Sequence, residues 1–484
     1  MEKKKMNVIL IISDTFRRDN LTCYGGERVH TPNLDRFAET AFIFDRAYCM
    51  SFPTVPNRND VLTGRYTFTY KPWAPIDAGE ITLPRCCGEA GIVTQLIVDT
   101  THPFTPGFNY QRDFAGWEVL RGQENDRWKT SPREVTLPCA PQKLRSPEGT
   151  MVQYMRNIAD RKMEEDYFVA RTMAAASDWL ERNYEHPFFL YVDTFDPHEP
   201  WDPPKYYVDL YDPEYDGEEV IYPLYDKCAF LTAAELNHCR ALYAGEATLV
   251  DRWIGKLLER VESLRLMSNT MIIFTTDHGF YIGEHGYIGK SLITPQYHQA
   301  LPLYTEVAAI PLLVYLPGVG KSEHLQTLAQ SVDMMPTILD FMGVKIPETV
   351  QGKSLMPVLE GKTANIREVA ISSPTISAPN IQVPHPTSRS SITNAEWMLI
   401  YGSQVDKIEA PEVTQMVDSM MRRMQTLEKG PIKPELYHLP TDPNCNNNVI
   451  NQHFDEAQSL HAAYLQFLES AQVPEKHLQF FRHI

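Results

Sequence analysis

Apolar runs of strand length recur through the first three quarters of the chain, with helical patterns between them. The clearest are "NVILIIS", "TQLIVDT", "PFFLYVDTF", "TMIIFTTD" and "PLLVYLPG". Alternation of this kind calls for an α/β fold, a large sheet with helices on both faces. Three of the runs end in turns that carry acidic residues: Ser13-Asp14, Asp193 to His198, and Asp277-His278. Open α/β sheets bind ligands beyond the carboxyl ends of their strands, so these turns are expected to converge on one site.

The pattern changes after about residue 365. Short segments ("EVAISS", "SSITN", "EWMLIYG", "PELYHL") precede a helical run from about Asp455 to Ser470. This predicts a catalytic α/β domain over 1–365 and a C-terminal α+β subdomain over 366–484, with a small antiparallel sheet and one closing helix. Within the second part Val413, Met416, Val417, Met420, Met424 and Leu427 fall at helical spacing. The segment 410–430 reads as an inserted helix packed on its own chain, a dimer arm or a lid over the site being the alternative. The Pro-rich "ISAPNIQVPHPTS" reads as a loop.

Charge narrows the partners. A formal net charge of −17 over 484 residues argues against nucleic acid or an anionic membrane, both of which need a basic footprint. A polyanionic polymer is a poor substrate for the same reason. A small anion is compatible, because local cations and backbone amides set the field of a site. No apolar run reaches the roughly 18–20 residues of a membrane span. The first run is short and ends in Ser-Asp with no small-residue cleavage site, so it reads as a buried strand rather than a signal peptide and points to a cytoplasmic protein. Eight cysteines show no CxxC pair and are expected to be reduced. A homo-oligomer is compatible with all of this.

The chemistry-bearing residues cluster in four turns. In "TTDHGFYIGEHGYIGK", Asp277 and His278 supply two adjacent metal ligands at a strand end, and Gly279 lets the backbone turn closely. His285 and Lys290 follow. Asp14 closes the first strand, and His198 stands between prolines in "FDPHEPWDPP". The fourth turn, "SFPTVPNRNDVLTGR", offers Thr54 as an alcohol just before a short helical pattern from about Asn57, where it serves as a nucleophile or merely caps the helix.

The sequence resembles the sulfatase family of the alkaline phosphatase superfamily over nearly its whole length. The family's nucleophile-x-Pro-x-Arg pattern followed by Leu-Thr-Gly is met by Thr54, Pro56, Arg58 and Leu62-Thr63-Gly64. Further family-like segments are "CYGGERVHTPNLDRFAETAFIFDRAY", "IPLLVYLPG", "SVDMMPTILDFMGVKIPETVQGKSL" and "ELYHLPTDP". The resemblance implies an alkaline-phosphatase-like sandwich with a large mixed sheet. It also implies a divalent metal held by Asp14, Thr54, Asp277 and His278, with Thr54 as nucleophile and Arg58 holding it. His198 and Lys290 fall on groups that contact the anion or protonate the leaving oxygen, and His102 is a further candidate.

Two departures qualify that inheritance. The family nucleophile is Cys or Ser, oxidised to formylglycine; Thr54 cannot form that aldehyde, and neither Cys49 nor Ser51 has Pro and Arg at the required offsets. In "LIVDTTHPF" the sulfate-contacting Lys of the family is replaced by Thr100 or Thr101, with His102 retained. An ester on Thr54 cannot expel its group by collapsing to an aldehyde, so water must attack the central atom. Related phosphodiesterases use a metal-bound Thr in that way. The Asp-His pair also resembles phosphonate monoester hydrolases, and an imidazole ligand suits Mn²⁺ or Zn²⁺ better than Ca²⁺. The expectation is a hydrolase of phosphodiesters or phosphonate monoesters that uses one metal and no formylglycine. A formylglycine-independent sulfatase and an inactive anion-binding protein are the alternatives. A second metal would call on Asp193, Asp196 and His298.

Overall fold

A computed structural model describes residues 6–293, 298–405 and 433–484. Its centre is an eight-stranded sheet in the order Glu323–Gln330, Phe42–Tyr48, Leu312–Tyr315, Thr270–Thr275, Asn7–Ser13, Phe188–Thr194, Val93–Val98, Gly116–Val119. Only Leu312–Tyr315 runs antiparallel to its neighbours, so the sheet is mixed. Alternation of side chains along a strand explains why the runs are apolar throughout. Val8, Leu10 and Ile12 enter one core while Ile9 and Ile11 enter the other, and both faces are covered.

The three central strands carry the acidic turns. Asn7–Ser13 lies between Thr270–Thr275 and Phe188–Thr194, parallel to both, with Ile12 level with Thr275 and with Asp193. Their carboxyl ends therefore open on the same edge of the sheet. The two strands at the margins, Glu323–Gln330 and Gly116–Val119, went unread in the sequence. Both carry polar residues on half-exposed faces, which erases the apolar run.

The C-terminal segments form strands Ala370–Pro374, Arg389–Thr393, Trp397–Gly402 and Glu435–His438, as expected, and helix Phe454–Ser470 packs on them. A fifth strand joins this small sheet from far away. Ser51–Phe52 pairs in parallel with Ser373–Pro374, so the segment leading into Thr54 is gripped by both sheets' neighbourhoods. The helix read at 410–430 lies outside the described residues. All eight cysteines are free, and among the described residues no helix is long and apolar enough to cross a membrane.

Candidate active site

Thr54 is the first residue of the helix Thr54–Thr63, three positions earlier than the pattern suggested, and all ten residues of that helix are buried. The N-cap position is taken by Pro53, with no side-chain cap. The capping role considered for Thr54 is therefore excluded by its position. Asp60 fastens the entry to the helix: it accepts the Ser51 amide at 2.7 Å, the Ser51 hydroxyl at 2.8 Å and the Thr67 amide at 3.0 Å. Ser51 is thus occupied in holding the turn. Gly64 ends the helix at φ +64°, the left-handed conformation that a glycine adopts without strain.

One turn beyond Thr54, on the same helix face, Asn57 reaches the backbone and Arg58 the carboxylates of the strand-end turns. Asn57 donates to the Asp277 carbonyl at 3.0 Å. Arg58 is 1% exposed and lies among three carboxylates: Asp193, which it grips with Nε at 3.1 Å and Nη2 at 2.8 Å; Asp14 at 3.1 Å; and Asp277. Phe52 lays its ring against His278, centroids 5.0 Å apart. The nucleophile turn and the metal-type residues are thereby one packed unit.

Asp14, Asp277 and His278 offer ligand atoms all within 4.8 Å of one another, and all three are fully buried. Neither carboxylate oxygen of Asp14 makes a hydrogen bond. Burial without donors is costly for a carboxylate, and with Asp277 alongside it pushes Asp14 well above its ordinary range. Asp277 goes the other way: burial raises it, but His278 and Arg58 outweigh that and hold it low. The His278 Nδ1 lies 3.1 Å from the Gly279 carbonyl, which can only accept, so Nδ1 carries the proton and Nε2 keeps a lone pair for a ligand. Burial, with Lys290 nearby, lowers His278 to about 3 and keeps it neutral. Two carboxylates and a neutral imidazole, one carboxylate wanting donors, fit a divalent cation. The wider charge balance agrees: Arg58, Lys290 and Arg145 face Asp14, Asp193, Asp277, Glu124 and Glu199, an excess of two negative charges.

The second-metal set fares differently. Asp193 is saturated by Arg58, by the Thr100 hydroxyl at 2.7 Å and by Tyr191 at 2.6 Å. Asp196 is bonded by Gln123 and by the Val169 amide at 3.0 Å. The side chain of His298 lies outside what the structure describes. Asp193 and Asp196 are hydrogen-bonded within the protein, and neither belongs to the Asp14, Asp277 and His278 group.

Lys290 stands at the centre of the cluster, with Nζ 3.3 Å from His278 Nε2. His198 is 2% exposed, stacked on Phe195 with centroids 4.0 Å apart. Burial first and Lys290 second hold it well below the ordinary histidine range. His102 meets the other side of the Phe195 ring edge-on at 5.6 Å, and burial lowers it too, against the pull of Glu124. His285 is elsewhere, 3.4 Å from Glu306 and packed on Tyr304. Where the family's Lys is missing, Thr100 turns to Asp193 and brings no charge.

Sequence reasoning missed Asn57, the Asp193 brace on Arg58, and Glu124, Arg145 and Glu199 beside the histidines. Glu199 adjoins His198 in the chain and could have been suspected. Glu124 and Arg145 lie in a stretch without periodicity and gave no signal.

The sulfatase family model matches residues 6–344. The chain is 26% identical over 432 residues to an N-acetylglucosamine-6-O-sulfatase of Bacteroides thetaiotaomicron, covering 75% of this chain and 72% of that one. It is 24% identical to the multifunctional alkaline phosphatase superfamily protein PehA of Trinickia caryophylli, over 75% of this chain and 79% of the relative. Among solved structures, the phosphonate monoester hydrolase of Agrobacterium radiobacter superposes with a TM-score of 0.71 at 19% identity, covering 98% of this chain and 97% of that one. At that identity the likeness speaks for the fold.

Proposed function

The chain belongs to the sulfatase family, ester hydrolases of the alkaline phosphatase superfamily, and from that premise we propose that it cleaves a singly charged phosphodiester or phosphonate monoester through Thr54. The observation that carries this reading is Thr54 at the first turn of a buried helix whose Asn57 and Arg58 grip the metal-type cluster. A residue there that is no cap is free for chemistry. Asp14, Asp277 and His278, with Thr54, would hold the divalent ion. That ion would acidify an alcohol and screen the substrate's charge.

The protein's own groups divide the rest. Thr54 Oγ would pass its proton to a neutral histidine and attack phosphorus; the bond from phosphorus to the leaving oxygen breaks, and that oxygen takes the proton back from the histidine. The helix N-terminus beside Thr54 favours the anion, and Arg58 and Lys290 supply fixed positive charge. Water then attacks the phosphorylated or phosphonylated Thr54, giving its proton to the histidine, and the Thr54 oxygen leaves with that proton. His198, and in second place His102, would handle the proton of the leaving oxygen and then of the water. Since burial keeps His198 neutral in the free protein, it enters as a base, and the proton it takes from Thr54 lets it act as an acid toward the leaving oxygen.

Charge favours a monoanion. The excess of two negative charges in the cluster is cancelled by one divalent ion, and the missing family Lys removes a cation that a dianionic phosphate monoester would want. Sulfate esters are also monoanions, and the relatives' names support them as a second reading. Mn²⁺ or Zn²⁺ suits the Asp-Asp-His donors better than Ca²⁺. The location proposed is the cytoplasm. The test is a screen of metal-replete protein on aryl phosphodiester, phosphonate monoester, phosphate monoester and sulfate. One dominant activity on a phosphorus monoanion, lost in chelator and regained best with Mn²⁺ or Zn²⁺, is expected. A dominant sulfate activity would replace the first reading by the second.

A further inference from the structure

A single-turn helix, His102–Phe104, and the loop after strand Phe188–Thr194 hold the histidines. Glu124 Oε2 lies 3.3 Å from His102 Nε2, and Glu199 Oε2 lies 3.1 Å from His198 Nδ1, which is also 2.8 Å from the Glu199 carbonyl. Arg145 joins the two carboxylates: its Nη2 is 3.2 Å from Glu124 Oε1 and 2.6 Å from Glu199 Oε1. The guanidinium lies over the rings of Tyr222 and Tyr225, 4.3 and 4.2 Å from their centroids. The two phenols donate to the same two oxygens, each at 2.6 Å. One oxygen of each carboxylate is therefore filled by Arg145 and a tyrosine. The other, buried and without a hydrogen bond, is the one beside a histidine.

The clamp is set by backbone. Arg145 donates its amide to the Tyr222 carbonyl at 3.0 Å, and Leu224 donates to the Lys143 carbonyl at 3.0 Å. Gly289, at φ +110°, lets the chain pass so close to the Tyr225 ring that a Cβ would come within 2.7 Å of it, and Lys290 is the next residue. The same tyrosine that stacks on Arg145 thus borders the approach of Lys290.

One guanidinium between two buried carboxylates leaves one negative charge, which a proton taken up by either imidazole would neutralise. A carboxylate beside one ring nitrogen of a histidine draws the proton to that nitrogen and leaves the other free. We propose that Arg145 is a positioning residue: by clamping Glu124 it keeps the proton on His102 Nε2 and leaves His102 Nδ1 to exchange protons with substrate, while the Glu199 carbonyl holds the proton on His198 Nδ1 and leaves Nε2 free to do the same. This rests on the reading above that these histidines serve the leaving oxygen.

The test has two arms. Nitrogen NMR of the ¹⁵N-histidine-labelled full chain reads which ring nitrogen is protonated, with or without turnover. In wild type, His198 should be the Nδ1-protonated tautomer and His102 the Nε2-protonated one; in Arg145→Gln His102 should become a mixture while His198, held by the Glu199 carbonyl, keeps its tautomer, and Arg145→Lys should restore the His102 pattern in part. In kinetics, Arg145→Gln should slow an ester of a poor leaving alcohol roughly 10- to 100-fold while an activated aryl ester keeps most of its rate. An unchanged His102 tautomer, or equal loss on both esters, overturns the proposal. If Arg145→Gln does not fold, Tyr222→Phe removes one phenol from Glu124 and must shift His102 alone; no shift overturns it equally. Wild-type inactivity on every ester would sink the hydrolase reading, while the NMR arm still decides the clamp.

Discussion

The metal-type cluster and the histidine side of the site are built by different means. Asp14, Asp193 and Asp277 stand at or just beyond the ends of three adjacent parallel strands, and Arg58 comes from a helix buried on every residue. His102, His198, Glu124 and Arg145 come from loops and from single-turn helices. Strand ends are fixed by the ladder of the sheet, so the first group is placed by regular hydrogen bonding. Loop residues need partners to hold them, and the aromatic clamp around Arg145 supplies them. The lesson is a division of labour in which rigid elements hold charge and braced loops hold protons.

The comparison breaks most visibly at Thr54. Thr54→Ala is expected to lower kcat by about 1000-fold or more while shifting the melting temperature by only about 3 °C, since the side chain caps nothing. Near-normal turnover with a lower melting temperature would return Thr54 to a structural role. Net retention at a chiral phosphorus centre should accompany the wild-type reaction, because two in-line displacements restore the configuration; inversion would mean direct attack by water.

Arg58→Met tests the rigid half for stability. It leaves Asp14, Asp193 and Asp277 buried without their guanidinium, a loss of roughly 3–5 kcal/mol in the metal-free protein by denaturant titration. Added metal should recover a large part of that, because the ion takes over the neutralisation. Equal losses with and without metal would show that Arg58 acts through packing alone.

His198→Ala addresses the loop half. Esters of poor leaving alcohols should slow by roughly 100-fold and activated aryl esters by only a few fold. Equal losses on both would reduce His198 to a stiffener of its loop.

The smallest effect expected is in pH. His198 must be neutral in the free enzyme to act as a base, and its depressed titration places that requirement below the ordinary histidine value of about 6.5. As pH falls through the depressed value the ring takes a proton and the base is lost. The acid limb of kcat/KM is therefore expected below the ordinary histidine value, with activity retained at that value. A limb near 6.5 that disappears in His198→Ala would contradict the buried environment described for it.

Much of the rigid half was legible in the residues. Apolar runs announce buried strands because both faces of such a strand are covered, and an Asp directly after one is placed by chain geometry at the sheet's edge. The pairing of Thr54 with Arg58 was readable through the family's nucleophile-x-Pro-x-Arg pattern, whereas the local period placed the helix start three residues too late. The small C-terminal sheet was legible strand by strand, but not its fifth member, since two residues such as Ser51–Phe52 carry no period.

What the sequence by itself determined was the class of fold and the residues whose position depends on local period or on a strand's end. The tertiary structure decided the pairings between distant segments. Asp193 looked like a free ligand until Arg58, 135 positions earlier, was found on it. Glu124, Arg145, Glu199 and Tyr225 are spread over about a hundred residues of helix, strand and loop and meet only because the chain folds back on itself. The physical reason is that hydrogen bonds and charge balance act through space, whereas periodicity records only neighbours along the chain.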